Sequence, residues 1–241
     1  SPDTGHFFTR LEVDGASRGA LTEAIAVATA GFDATFTVDD VARPTRTLIL
    51  ASKAGHCLND LLFRWRGGDL PIDVVGIMAN HAVLAPMAAF YDVPFKHRFV
   101  TAETKADFEE EIKKAVVEQD IELVVLARYM QILSPELCEF LAGKAINIHH
   151  SFLPGFKGAN PYRQAHTRGV KLIGATAHFV TSDLDEGPII EQNVVRVDHS
   201  MSVSKLVRKG QAQESQTLAE AVRLFAERRV LADGDRTVIF R

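Results

Sequence analysis

Two residues on one short strand, Asn147 and His149, have the types and the spacing that chemistry needs. They lie in Lys144-Ala-Ile-Asn-Ile-His-His-Ser-Phe-Leu-Pro154. Side chains alternate faces along a strand, so these two point the same way while Ile146 and Ile148 point into the opposite layer. An amide donor and an imidazolium converging on one point can hold the oxygen of a reacting carbonyl. A histidine alone on a strand is more often a hydrogen-bonded structural residue; the asparagine two positions earlier is what turns this one toward catalysis. A carboxylate would complete the set. Asp185, in the polar turn Asp183-Leu-Asp-Glu-Gly-Pro188 between two apolar runs, is the candidate.

The strand must deliver these side chains to its end, and the sequence breaks it there. Ser151, Pro154, Gly155 and Gly158 cannot continue a central strand and make an open loop at its carboxyl end, where parallel α/β sheets bind ligands. The flanking pattern is that of an α/β fold. Continuous apolar runs at 47–51, 72–78 and 121–127 suit buried parallel strands, with a weaker one at 95–100. Helical patterns at His56–Arg66 and 103–118 alternate with them, which predicts a mostly parallel, doubly wound sheet covered on both faces. Ser134-Pro135 and Asn160-Pro161 are helix starts, the second helix running to Arg168 before Gly169. Runs at 172–180 and 188–197 flank the Asp185 turn as an antiparallel extension, 202–228 is helical despite Gly210, and the tail reads as a hairpin around Asp233-Gly234.

With 241 residues, 46% of them hydrophobic, the chain can bury a full core. A net charge of −4 argues against nucleic acid or an anionic membrane as partner. No apolar run approaches the roughly 18 residues that span a bilayer, and Ser1 to Gly5 do not resemble a signal peptide. Cys57 and Cys138 form no metal-spaced pair, and so few cysteines fit a reducing, cytoplasmic compartment. His149, His150, His178 and Asp185 are all ligand types. Adjacent histidines on a strand point to opposite faces, however, and no His-x-x-x-His pair is present, so neither metal nor cofactor is expected.

Asn147-Ile-His149, Ser151-Phe-Leu-Pro154, Phe156-Lys-Gly158, Gly174-Ala-Thr-Ala-His178 and Leu184-Asp-Glu-Gly-Pro188, in that order, resemble the formyltetrahydrofolate-dependent formyltransferase family. The resemblance runs from about Pro44 to Arg241 and is nearest to the branch that uses water as acceptor. It implies a Rossmann-type formyltransferase fold over 44–241, with Asn147, His149 and Asp185 as the catalytic Asn, His and Asp. It also implies that folate, the small-molecule partner, lies against Met130, Gln131, Ile132 and Leu133 on one side and Leu184, Glu186 and Gly187 on the other, largely through their backbone groups. Gln131 stands where family members often carry Arg.

The activity so implied is hydrolysis of 10-formyltetrahydrofolate to formate and tetrahydrofolate, supplying formate for purine biosynthesis and balancing one-carbon folate pools. Formyl transfer to an amine such as glycinamide ribonucleotide is the alternative, as is a formylfolate-binding regulator without turnover. Ribonucleotide-using relatives carry a glycine-rich phosphate turn after the first strand, where this chain has Ser52-Lys-Ala-Gly-His-Cys57 with one glycine, which favours water.

Residues 1–43 read differently: a strand at 6–13, a helix at 17–30, a strand at 35–38 and a charged linker. Three elements cannot easily close a core. By resemblance they are the second half of a regulatory ACT domain, ferredoxin-like and of βαββαβ order, whose first half is expected upstream of Ser1. ACT strands commonly pair between chains, which implies a homo-oligomer.

Overall fold

The computed structural model describes residues 4–151, 153 and 161–241. An N-terminal helix, α1 (Arg18–Thr29), precedes an alternating series: β1 (Thr45–Ala51), α2 (His56–Arg66), β2 (Ile72–Ala79), α3 (Ala85–Phe90), β3 (Phe95–His97), α4 (Lys105–Glu118), β4 (Leu123–Ala127), α5 (Pro135–Phe140) and β5 (Ala145–His149). Then come α6 (Pro161–Arg168), β6 (Leu172–Phe179), β7 (Ile189–Arg196), the long α7 (Val203–Ala226) and the hairpin β8 (Val230–Asp233) with β9 (Arg236–Ile239). The first seven strands form one sheet in the order β3-β2-β1-β4-β5-β6-β7. From β3 to β5 all neighbours are parallel; β6 and β7 extend the sheet antiparallel. The chain winds outward from β1 in one direction and returns through β4 in the other, so the switch point lies between them and the loops after β1, β4 and β5 share one end of the sheet.

Both faces are covered, as the alternation predicts. On one, Leu58, Leu62, Leu218 and Val222 of α2 and α7 bury Ile49, Val125, Ile146 and Ile148. On the other, Phe108, Ile112 and Leu137 of α4 and α5, with Leu141 just after α5, bury Leu50 and Val124. Each such side chain contributes about 1.5–3 kcal/mol when fully buried. Ser134 caps α5 by accepting from the Leu137 N–H at 3.2 Å. The sheet is therefore a rigid platform for whatever its strand ends carry.

Three expectations are corrected. Residues 6–13 and 35–38 are not strands: a strand needs a ladder partner, and the described residues offer none. The helix between them forms, capped by Ser17, yet buries none of its residues, and Phe7, Val27 and Phe32 are exposed. This segment is tied to the rest by His6 with Asp233 (3.2 Å) and Asp39 with Arg228 (3.3 Å). The weak strand at 95–100 closes after His97, and a 3-10 turn at Ala82–Leu84 leads into α3, an element the sequence pattern did not suggest. The loop motif built on Pro154, Gly155, Phe156, Lys157 and Gly158, with the Asn160 cap, lies outside the described residues.

Candidate active site

β5 divides its side chains as the two-residue period requires. Ile146 and Ile148 enter the core under α2 and α7, while Asn147 and His149 face the cleft at the strand's end. His149 Nδ1 lies 3.1 Å from Asp185 Oδ2. Asn147 Nδ2 lies 3.2 Å from His178 Nε2, and His178 Nε2 is in turn 3.7 Å from Asp185 Oδ1. The three residues expected to act together do converge, and His178 joins them as a fourth. It sits directly opposite Asn147 in the antiparallel β5–β6 register.

The bonding of His178 fixes the direction of the Asn147 amide. Its Nδ1 is 2.8 Å from the Phe179 carbonyl oxygen, which can only accept, so Nδ1 donates and Nε2 of the neutral ring accepts from Asn147 Nδ2. One amide N–H thus remains for a ligand. His149 Nε2 is buried and has no partner among the described residues. Asp185 adopts a left-handed backbone with φ 58°, a conformation to which Asp adapts better than most residues and one that here aims the carboxylate at the imidazole. Burial opposes its ionisation, but the hydrogen bond from His149, with the nearby His178 ring, outweighs this and holds the carboxyl well below the usual carboxylate range. The group is therefore a fixed negative charge.

Around these residues is a cavity of about 270 Å³. Met130, Gln131, Ile132 and Leu133 line one wall, Leu184 and Asp185 the other, and Met130, Ile132 and Leu184 expose their apolar side chains. Glu186 and Gly187 do not line it. Gly187 has a different reason to be glycine: any Cβ there would run into the Phe179 carbonyl. The Met130 N–H donates to Ser52 Oγ (2.8 Å), and the Met130 carbonyl accepts from Gln131 Nε2 (3.0 Å). The side chain of Ser52 thus ties the loop after β1 to the loop after β4.

Beneath the cleft lies a second polar group that sequence reasoning missed. Glu214 of α7, only 1% exposed, stands 2.6 Å from His56 Nε2, 2.5 Å from the Tyr162 hydroxyl and 3.3 Å from Arg128 Nε. Gly210, one turn earlier on α7, lets the Tyr162 ring reach this carboxylate, since a Cβ at that position would overlap the phenol. Arg128 continues to His150 Nδ1 at 2.5 Å, and the His150 ring stacks on His149 with centroids 4.9 Å apart. The opposite-face expectation for His149 and His150 fails because β5 ends at His149, beyond which strand alternation no longer applies. His56, Cys57 and Glu214 bring three ligand-type atoms within 4.8 Å of one another. Glu214 is already engaged by His56, Tyr162 and the Arg128 cation, a donor set that does not suit a metal ion.

A family model described as formyl transferase matches residues 45–222. A Corynebacterium sp. protein named formyltetrahydrofolate deformylase is 46% identical over 241 residues, which cover 98% of this chain and 84% of that one. The crystal structure of a formyltetrahydrofolate deformylase from Burkholderia mallei gives a TM-score of 0.89 at 56% identity, covering 92% of this chain and 79% of that one. The crystal structure of a glycinamide ribonucleotide transformylase from Symbiobacterium toebii gives 0.77 at 31% identity, covering 86% and 99%.

Proposed function

The chain belongs to the formyl transferase family, and on that premise we propose that it hydrolyses 10-formyltetrahydrofolate to formate and tetrahydrofolate. The observation that carries this reading is the convergence of Asn147, His149 and Asp185 at the end of β5, beside a cleft with apolar walls. The formyl oxygen sits against the Asn147 amide and protonated His149. Water attacks the formyl carbon, the C–N bond to folate breaks, and the proton lost by water goes to the departing nitrogen. Asp185 accepts from His149 Nδ1, compensates the imidazolium charge and orients the water. Ile132, Leu133 and Leu184 hold the pterin, with Met130 and Gln131 at the mouth.

Water is favoured over an amine bearing a phosphate by the environment of α2. A phosphate carried to the first turn of that helix would meet the buried Glu214 carboxylate, which already bonds His56, the first residue of α2. The names of the two most similar relatives above point the same way. The test is incubation with 10-formyltetrahydrofolate in an amine-free buffer. Equal release of formate and tetrahydrofolate supports hydrolysis; tetrahydrofolate released without formate, and only after glycinamide ribonucleotide is added to take the formyl group, makes the protein a transferase; no release under either condition makes it a binding module.

The same reading extends to the rest of the molecule. Residues 1–43 are an ACT-like regulatory segment, a reading supported by the exposed apolar side chains of Phe7, Leu11, Val27 and Phe32, which ask for a cover. Their cover is a second copy of the chain, making a homo-oligomer. In this reading the reaction uses no metal or cofactor; His149 Nδ1, His178 Nδ1 and His150 Nδ1 already face Asp185, the Phe179 carbonyl and Arg128. No helix of the described residues is long and apolar enough to cross a membrane, in keeping with a cytoplasmic enzyme whose product formate feeds purine biosynthesis. Nucleic acid is not a partner.

A further inference from the structure

Arg128 closes β4 with φ 61°, a left-handed conformation rare for a long side chain. From there its guanidinium lies 3.3 Å from Glu214 Oε2 and 2.5 Å from His150 Nδ1. A guanidinium only donates, so His150 Nδ1 must present its lone pair, and the single ring proton must sit on Nε2. A second proton could enter only by displacing Arg128. Meanwhile the His150 ring lies nearly parallel to that of His149, with 19° between the planes. At this distance a positive charge on one ring disfavours a second on the other.

We propose that Arg128, clamped by Glu214, is a positioning residue that fixes His150 as a neutral Nε2–H imidazole and so confines the proton of the stacked pair to His149. The inference rests on the hydrolytic reading above, in which protonated His149 faces the formyl oxygen.

The groups that face His150 come from five places: His149 on β5, Arg128 after β4, Asp185 from the β6–β7 loop, Glu214 on α7 and Tyr162 on α6. His56 and Cys57 of α2 reach it only through Glu214. Burial first, then the Arg128 guanidinium and His149, push the His150 pKa down to about 4, while Glu214 and Asp185 pull weakly the other way. Glu214 is suited to clamp Arg128 because His56 and Tyr162 hold both of its oxygens in place. Without that clamp the guanidinium would be free to leave His150.

The test is the imidazole ¹⁵N spectrum of ¹⁵N-histidine-labelled protein between pH 8 and pH 5, with His150 assigned through His150→Gln. In the native protein His150 stays neutral with its proton on Nε2 throughout. In Arg128→Met its titration moves up from that of the native chain, short of the ordinary histidine value because burial remains, and kcat falls roughly twofold or more while KM changes little, because the second ring now competes for the proton. Arg128→Lys keeps a cation and restores both the neutral ring and most of kcat. The proposal is overturned if native His150 carries its proton on Nδ1 or titrates near 6.5, or if Arg128→Met leaves its titration unchanged. If Arg128→Met fails to fold, the native tautomer alone decides. Neutral Nε2–H His150 in a protein that releases no formate would overturn the hydrolytic reading and leave the proton assignment standing.

Discussion

His149 Nδ1 and Asp185 Oδ2 meet at 3.1 Å although one residue ends a central strand and the other lies in the β6–β7 loop. The contact exists because Asp185 takes a left-handed backbone that few residues tolerate, so carboxylate and imidazole are held in place by the fold rather than by each other. Asp185→Asn keeps the shape and removes the charge. Turnover should fall on the order of a hundredfold or more, with KM little changed, because the lost interaction matters most as charge develops. Steady-state kinetics on the folded variant checks this; near-normal turnover would remove Asp185 from the mechanism.

His178 acts through Asn147. Replacing it by Leu removes the acceptor that directs the Asn147 amide and leaves the Phe179 carbonyl without its partner. We expect kcat to fall by roughly tenfold, less than for Asn147→Ala, where an oxyanion donor itself is lost at a cost of about a hundredfold or more. The double variant should be no worse than Asn147→Ala alone. Additive losses would mean that His178 contributes independently.

The two walls of the cleft divide the work of binding. Leu184→Ala and Ile132→Ala remove apolar surface from opposite sides of the same cavity. Each should raise KM by roughly tenfold with kcat nearly unchanged, the signature of binding that is equal in ground and transition states. Glu186→Gln should alter neither, since Glu186 lies outside the cavity lining.

The pH dependence of stability reports on His150. Its folded pKa of about 4 lies below the ordinary histidine value of about 6.5, so it is the unfolded chain that binds the extra proton. Stability is therefore fully present above about pH 6.5 and is lost as pH falls toward 4, by up to about 3 kcal/mol. Urea unfolding at pH 7 and pH 5 should show a smaller difference in His150→Phe than in the native chain. Asp185, whose carboxyl is depressed, adds its own loss only at lower pH, below the ordinary carboxylate value of about 4.

Much of this is legible in the sequence. Period-two alternation placed Asn147 and His149 on one face, helix starts at Ser134 and the apolar run of β4 set the frame, and the turn around Asp185 was visible as a polar break between two strands. What was not legible depended on contacts between distant segments. His178 is the partner of Asn147 only once β6 pairs antiparallel with β5 in a particular register. Arg128 and Glu214 come from the end of β4 and the middle of α7, segments that no local pattern connects. The stacked His149 and His150 contradict the alternation rule because the strand stops between them. Residues 6–13 and 35–38 carry strand-like patterns without strand partners, since pattern reports what a segment could pair with and not whether a partner is there.

The central claim, that water is the acceptor at a site built on His149, is tested most directly by the origin of the oxygen in formate. The protein would be incubated with 10-formyltetrahydrofolate in ¹⁸O-enriched water without any amine, and the formate analysed by mass spectrometry. Formate carrying one solvent oxygen, formed in step with tetrahydrofolate and lost in His149→Ala, is the expected result. Formate that appears at the same rate in His149→Ala, or tetrahydrofolate that forms without formate and only once an amine acceptor is supplied, would contradict it.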